Sequence, residues 1–121
     1  MDFSIYEVGP RDGLQSSDTI TPTYKKVELS AKVYEQISHL EPFCNLGVLI
    51  PNKRGLDRAK EVGASKFNVF FSPSDYFNTQ NFGRSMASIF SSYCQALEDV
   101  PKRDVRVYLS TSFGCPIGGE V

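Results

Sequence analysis

Arg11 and Asp12 stand side by side in the stretch Glu7-Val8-Gly9-Pro10-Arg11-Asp12-Gly13-Leu14-Gln15. Glycine and proline shape this turn, which follows a short apolar run from Phe3 to Val8. A carboxylate on a loop with Ser and Gln neighbours suits Mg2+ or Mn2+, hard cations that favour oxygen ligands. A guanidinium beside it can stabilise an enolate or carboxylate oxygen as charge develops. Arg11-Asp12-Gly13 also reads as a plain surface turn in which the aspartate bonds its own backbone. From those residues alone both readings stand.

Other reactive side chains are sparse. His39 is the sole histidine; it sits at an expected helix end as a solvated or helix-terminus imidazole, and any site here that needs two histidines is excluded. Cys44, Cys94 and Cys115 lack CxxC spacing, which suggests neither a disulfide framework nor a zinc site. The expectation is two small buried thiols, Cys44 and Cys94, and one packed loop thiol, Cys115.

A net charge of −1 over 121 residues leaves no electrostatic footprint for nucleic acid or an anionic membrane. No apolar run approaches the ~18 residues of a membrane span. The first strand starts directly behind Met1, leaving no room for a leader, so a cytoplasmic protein is expected. With 40% hydrophobic and 22% charged residues, the chain has the composition of one soluble unit with a modest core.

The elements that must position Arg11 and Asp12 follow from periodicity. Residues 3–8 read as a strand. Thr21 is a good N-cap, with Pro22 at the first helical position. Tyr24, Val27, Ala31 and Tyr34 then recur at helical spacing, while Val33, Ile37 and Leu40 lie on a rotated face. That rotation hints that two helix fragments meet near residues 32–36. Pro42 closes the helix. Leu46 to Ile50 reads as a strand buried on both faces. Lys53 to Val62 is a helix with Leu56, Ala59 and Val62 inward and Gly63 as cap. Phe67 to Phe71 is a strand ended by Ser72-Pro73-Ser74. A polar and aromatic segment, Asp75 to Gly83, precedes a helix carrying Met86, Ile89, Phe90, Tyr93, Leu97 and Val100, which Pro101 stops. Val105 to Leu109 is the last strand. About four strands alternating with helices predict an α/β fold with parallel pairing and right-handed crossovers. Their Gly/Pro/Ser-rich ends place any chemistry at the carboxyl edge of the sheet.

The run from Glu7 to Gln15 closely resembles the signature of 3-hydroxy-3-methylglutaryl-CoA lyase, a metal-dependent acyl-CoA lyase of a TIM-barrel superfamily. The resemblance continues in order: Val48-Leu49-Ile50-Pro51-Asn52-Lys53-Arg54-Gly55 is similar to the strand-3 ending. Phe70 to Phe77, then Asn81 and Ser85, resemble the strand-4 segment. Tyr108 to Pro116, then Gly119, resemble the strand-5 segment. The resemblance implies divalent-metal-assisted retro-Claisen cleavage of the acyl-CoA thioester to acetoacetate and acetyl-CoA, as in leucine catabolism. It implies Asp12 as a ligand to Mg2+ or Mn2+ and Arg11 as the cation facing the enolate oxygen. Glu7 and Gln15 would complete the strand-1 corner on the substrate side. Asn52, Ser110 and Thr111 would line the site, although loop capping explains those residues equally well. The Gly-Pro before Arg11 favours the lyases over the condensing synthases of the superfamily.

Two departures accompany the likeness. Between the first helix and the strand-3 motif the family carries a further strand and helix, for which the spacing here leaves no room. The expectation is one partial (β/α) barrel domain over residues 1–121, with one βα unit missing near residues 32–36. The His-x-His metal pair, the Asn ligand and the catalytic loop cysteine lie further along in the family than Val121. A chain with this ligand set is expected to be inactive alone. An alternative is a non-catalytic barrel fragment that self-associates or pairs with a complementary fragment through open strand edges.

Overall fold

The computed structural model of the chain describes residues 23–119. The strand expected at residues 3–8, the Thr21-Pro22 helix start and the stretch Glu7 to Gln15 lie outside those residues. Helix α1 spans Thr23–Ile37 and passes into a 3-10 turn at Ser38–Leu40. There follow strand β1 (Gly47–Leu49), helix α2 (Lys53–Glu61) and strand β2 (Lys66–Phe71). Helices α3 (Asp75–Phe82) and α4 (Met86–Ala96) then lead to strand β3 (Val105–Leu109). The strands form one parallel sheet in the order β1-β2-β3. Sequential parallel strands joined by helices are the product of repeated βα units, because a parallel return needs a crossover long enough to hold a helix.

The core lies between the sheet and the helices. Phe67 and Val69 of β2 meet Ile50, Leu56, Ala59, Ile89 and Tyr93 in one buried cluster that also takes in Tyr34 of α1. Each large apolar side chain fully buried there contributes about 1.5–3 kcal/mol. α2 presents Leu56 and Ala59 inward, as its spacing predicts. Gly63, at φ +86°, supplies the left-handed residue just beyond α2, a conformation that costs a side chain-bearing residue far more.

The structure corrects several expectations. The strand at residues 46–50 is not buried on both faces: Val48 and Leu49 are half-buried and Gly47 is exposed. The buried residues of α2 and α4 pack on the face that bears Phe67 and Val69, while Phe70 on the opposite face meets Phe82 of α3 ring to ring at 5.0 Å. Residues 75–82, read from sequence only as a polar and aromatic segment, form a helix capped by the Ser74 hydroxyl, which accepts from Phe77 N, and ended by left-handed Gly83. Its apolar residues do not repeat along one face, so periodicity could not reveal it. Met86 and Phe90 lie at the edge of the α4 stripe and are exposed, while Ile89 and Tyr93 are buried. Cys44 and Cys94 are exposed rather than buried. Cys94 directly follows inward-facing Tyr93, so the helical turn of about 100° carries it off the core face. Cys44 follows the exposed turn after α1, with its thiol near Leu40 O at 3.4 Å. Cys115 is buried, as expected, and His39 is exposed.

Candidate functional site at the carboxyl ends of the strands

Parallel pairing brings the ends of β1, β2 and β3 to one edge, where Asn52, Ser72 and Thr111 follow their strands. Ser72 is the hub. It is fully buried, as is Asn78 on α3. Ser72 N–H donates to Asn78 Oδ1 (2.9 Å), and Asn78 Nδ2 donates back to Ser72 O (2.7 Å). The amide thus replaces the ladder partner that the backbone loses where the strand ends. Ser72 Oγ accepts from Ser74 N (2.9 Å) and shares a short hydrogen bond with the Thr111 hydroxyl.

Thr111 carries the strain of this arrangement. Its φ is +52°, a left-handed conformation that a β-branched residue adopts only when its surroundings hold it there. Ser110 N–H continues the ladder by donating to Phe71 O (2.9 Å), and the Ser112 hydroxyl donates to Leu109 O (2.9 Å). Backbone turn and hydroxyl bond together aim Thr111 across the end of β2.

At the end of β1 the side chains have other tasks. The Asn52 side chain accepts from Gly55 N (3.0 Å) and caps α2. The buried Tyr93 hydroxyl reaches Pro51 O (3.1 Å) and Ile50 O (3.3 Å). Burial lifts the Tyr93 phenol above its ordinary pKa, so it remains a hydrogen-bond donor. Beside it opens a cleft of about 490 Å3, with Asn52, Lys53, Phe82, Arg84 and Tyr93 among its walls and no carboxylate in its lining. Lys53 pairs with Asp57 (2.7 Å), and Arg84 donates to the Ser88 hydroxyl (2.8 Å).

Beyond β3, Cys115 and Gly119 close a tight turn through mutual backbone hydrogen bonds of 2.6 and 2.8 Å. The Ser74 hydroxyl, helped by the Gly118 and Ile117 N–H groups, holds the Cys115 thiol below its ordinary pKa against the opposing effect of burial.

Of the residues singled out from sequence, Thr111 stands at the strand edge in a polar network. Ser110 is half-buried beside it. Asn52 lies at the same edge but is spent on capping, and no hydrogen bond joins it to Ser110 or Thr111. Glu7, Arg11, Asp12 and Gln15 lie outside the described residues. The described residues do not fit a divalent metal: no group of three or more His, Cys, Asp or Glu side chains among them could hold one. Sequence reasoning missed Ser72, Asn78 and the Tyr93 hydroxyl as parts of this edge. Ser72-Pro73 marked only a strand end, and no pattern separates a buried helical asparagine from a solvated one.

No family model matches the chain. It is 30% identical over 97% of its length to the mitochondrial hydroxymethylglutaryl-CoA lyase of Mus musculus, of which it covers 45%. It is 31% identical to a hydroxymethylglutaryl-CoA lyase of Bacillus subtilis, covering 49%. Among solved structures, the Bacillus subtilis HMG-CoA lyase superposes with a TM-score of 0.67 at 29% identity, covering 98% of this chain and 49% of that one. An HMG-CoA lyase from Acinetobacter baumannii, in complex with coenzyme A and 3-methylmalate, gives 0.67 at 27% identity, covering 95% and 47%. The sheet and its helices are therefore an arc of the barrel seen in those enzymes. The chain spans about half the length of the relatives it matches, and over nearly all of its own length it is homologous to hydroxymethylglutaryl-CoA lyases.

Proposed function

We infer that the chain carries part of the substrate edge of a hydroxymethylglutaryl-CoA lyase and does not catalyse the cleavage alone. The observation that carries this reading is the parallel arc itself. It sets the Asn52, Ser72 and Thr111 loops on one edge, in the order in which the lyase-like motifs occur along the chain. In the reaction, 3-hydroxy-3-methylglutaryl-CoA loses its hydroxyl proton and the neighbouring C–C bond breaks, giving acetoacetate and the enolate of acetyl-CoA, which is then protonated. Arg11 would face the enolate oxygen, and a cation fixed there lowers the barrier because charge grows at that atom in the transition state. Glu7 and Gln15 would hold the strand-1 corner in place, and Ser110 and Thr111 would line the far side. Asp12 would contribute one carboxylate to a divalent ion such as Mg2+ or Mn2+. One carboxylate shared with water holds such an ion weakly, which is the physical reason for expecting no turnover.

The same reading treats the domain as a partial barrel lacking one βα unit near residues 32–36. Helix α1 runs unbroken through that point. The match to the mouse enzyme extends over 146 positions but uses 97% of a 121-residue chain, or about 117 residues, so about 29 positions have no counterpart here. That is close to the ~30 residues per strand-and-helix unit that follow from about 250 residues shared among eight. Among the described residues no helix is long and apolar enough to cross a membrane. A cytoplasmic location is part of the proposal, since relatives occur in cytoplasmic as well as mitochondrial forms; fractionating cells that express the tagged chain tests it.

The deciding experiment for function is a coupled assay of the purified chain with Mg2+ or Mn2+ and the hydroxymethylglutaryl thioester. Acetoacetate no higher than in the protein-free control is expected. Turnover that Arg11→Gln abolishes would overturn the expectation and locate catalysis in this chain. A second reading, a fragment that functions through association, is favoured by one observation: Val107, Tyr108 and Leu109 of β3 are all exposed.

A further inference from the structure

We propose that the free edge of β3 pairs antiparallel with β3 of a second copy, about a two-fold axis through Val107. The proposal deepens the association reading but rests on the sheet alone and not on lyase activity. β3 pairs with β2 on one side; among the described residues nothing pairs on the other.

The backbone defines what the edge can accept. Ser110 N–H donates to Phe71 O (2.9 Å), so by strand alternation Arg106, Tyr108 and Ser110 turn their backbone groups toward β2. Val105, Val107 and Leu109 turn theirs outward. Two of these outward groups already have local partners: Val105 N–H donates to Lys102 O, and Leu109 O accepts from the Ser112 hydroxyl. The remaining groups are Val107 N–H and O, Leu109 N–H and Val105 O. An antiparallel copy centred on Val107 satisfies all of them. Val107 N–H meets Val107 O in both directions, and Leu109 N–H meets Val105 O in both directions. The locally satisfied Val105 N–H and Leu109 O fall opposite each other, so neither is asked to change partner.

The side chains fit the same register. Val105, Val107 and Leu109 share the sheet face that bears Phe67, Val69 and Phe71. There the pairing sets Val107 against its copy and Leu109 against Val105. Val107 is 51% and Leu109 58% exposed in the single chain, so this stripe has apolar surface to lose. Phe71 lies beside Leu109 in the ladder and touches Phe90 ring to edge at 5.9 Å, which extends the patch onto α4. The two copies of β2 would lie about 14 Å apart, three strand spacings. That approaches the ~10–12 Å diameter of a helix, bringing the α4 helices and exposed Phe90 together over the new junction. On the opposite face Arg106 falls across from Tyr108 in both directions. This is a non-hydrogen-bonded pair, where side chains approach most closely. A register shifted by one residue would place apolar and polar side chains on the same face. The contact is isologous and closes at two copies.

Sedimentation equilibrium and light scattering on the full chain should give a dimer that dissociates on dilution. Val107→Lys and Val107→Glu each set like charges against each other on the axis. Each should give a monomer with unchanged far-ultraviolet circular dichroism, and an equimolar mixture should restore the dimer. Amide hydrogen exchange needs no variant: Val107 and Leu109 N–H should exchange more slowly as wild-type concentration rises, while Tyr108 and Ser110, bonded within the chain, should not change. A wild-type monomer, an open polymer, a dimer indifferent to both substitutions, or Val107 and Leu109 exchange independent of concentration would each overturn the proposal. A negative lyase assay leaves it untouched.

Discussion

Replacing Asn78 by alanine should cost this small domain a large part of its stability, although the residue is polar and lies on a short helix. Asn78 and Ser72 are both fully buried, and the amide closes a ring of two hydrogen bonds with the Ser72 backbone, at 2.9 and 2.7 Å. Each bond contributes about 1 kcal/mol net, but truncation leaves Ser72 N–H and C=O unpaired, at about 1–3 kcal/mol each. Water entering the space left by the side chain recovers some of this, so the expected loss is about 2–4 kcal/mol. Against a total of about 5–15 kcal/mol for ordinary domains, the urea midpoint should fall by roughly 1–2 M at typical slopes. Urea titration followed by circular dichroism measures it. Asn81→Ala is the control: among the described residues exposed Asn81 bonds only to Phe77 O, at 2.9 Å, so its removal should stay within about 0.5 kcal/mol. The Asn78→Asp variant keeps the acceptor for Ser72 N–H but sets a carboxylate against Ser72 O. Protonation restores the donor, so its folded-state pKa should rise above the unfolded value near ~3.9. Its stability relative to wild type should then be best at acid pH and decline as pH rises through the folded-state pKa. An Asn78→Ala midpoint equal to wild type, or an Asn81→Ala loss as large, would refute the argument.

Thr111 offers a paired test. Thr111→Val removes the hydroxyl bond to Ser72 while retaining left-handed strain and should destabilise by about 1 kcal/mol. Thr111→Gly loses the bond but relieves the strain, about 1–2 kcal/mol, and should be close to neutral in the same titration. Alkaline stability should depend on Tyr34, whose pKa is raised by burial and by its hydrogen bond to Glu41. The raised value means this contribution is fully present below the ordinary tyrosine value near ~10 and is lost as pH rises through the folded-state pKa. Thermal melts at pH values rising from ~10 toward the folded-state pKa should show a shallower decline for Tyr34→Phe than for wild type. Ser74→Ala should raise the Cys115 thiol pKa, because the Ser74 hydroxyl is the chief cause of its depression. Thiolate absorbance against pH, with Cys44 and Cys94 changed to serine, reads this directly.

The sequence makes legible what repeats. The β2 and β3 runs and the α2 stripe of Leu56 and Ala59 recur at the spacing their burial requires, and the structure places them within a residue or two of the expected bounds. It is silent where a single side chain decides. α3 is held by caps at Ser74 and Gly83 and by its own Asn78, which ties it to the Ser72 backbone, and none of these is periodic. The exposure of Phe90 and Leu109 was hidden for the opposite reason: the pattern assigns them an inward face, and whether that face is covered depends on elements that a half-length arc does not contribute. At the site, Thr111 was marked by type and position, whereas its left-handed backbone and its tie to Ser72 follow from the packing of two strand ends.

Those ties bear on how a partial barrel can keep a formed edge. The bonds that set Ser72, Thr111 and Asn52 in place run between adjacent strands or between a strand end and the helix after it, as in Ser72–Thr111, Ser72–Asn78 and Asn52–Gly55. None crosses the centre of a barrel. These partners all lie within the described strands and helices, and left-handed Thr111 is tied by its hydroxyl bond to Ser72 and by Gly114 N–H, which donates to Thr111 O at 3.3 Å. A metal site has the reverse logic, since its ligands must converge from several strands on one point. Preorganised loops of this kind thus need only neighbouring elements, whereas a metal site needs convergence from several strands. The persistence of this edge argues for shared ancestry and leaves catalytic competence to the assay of Arg11.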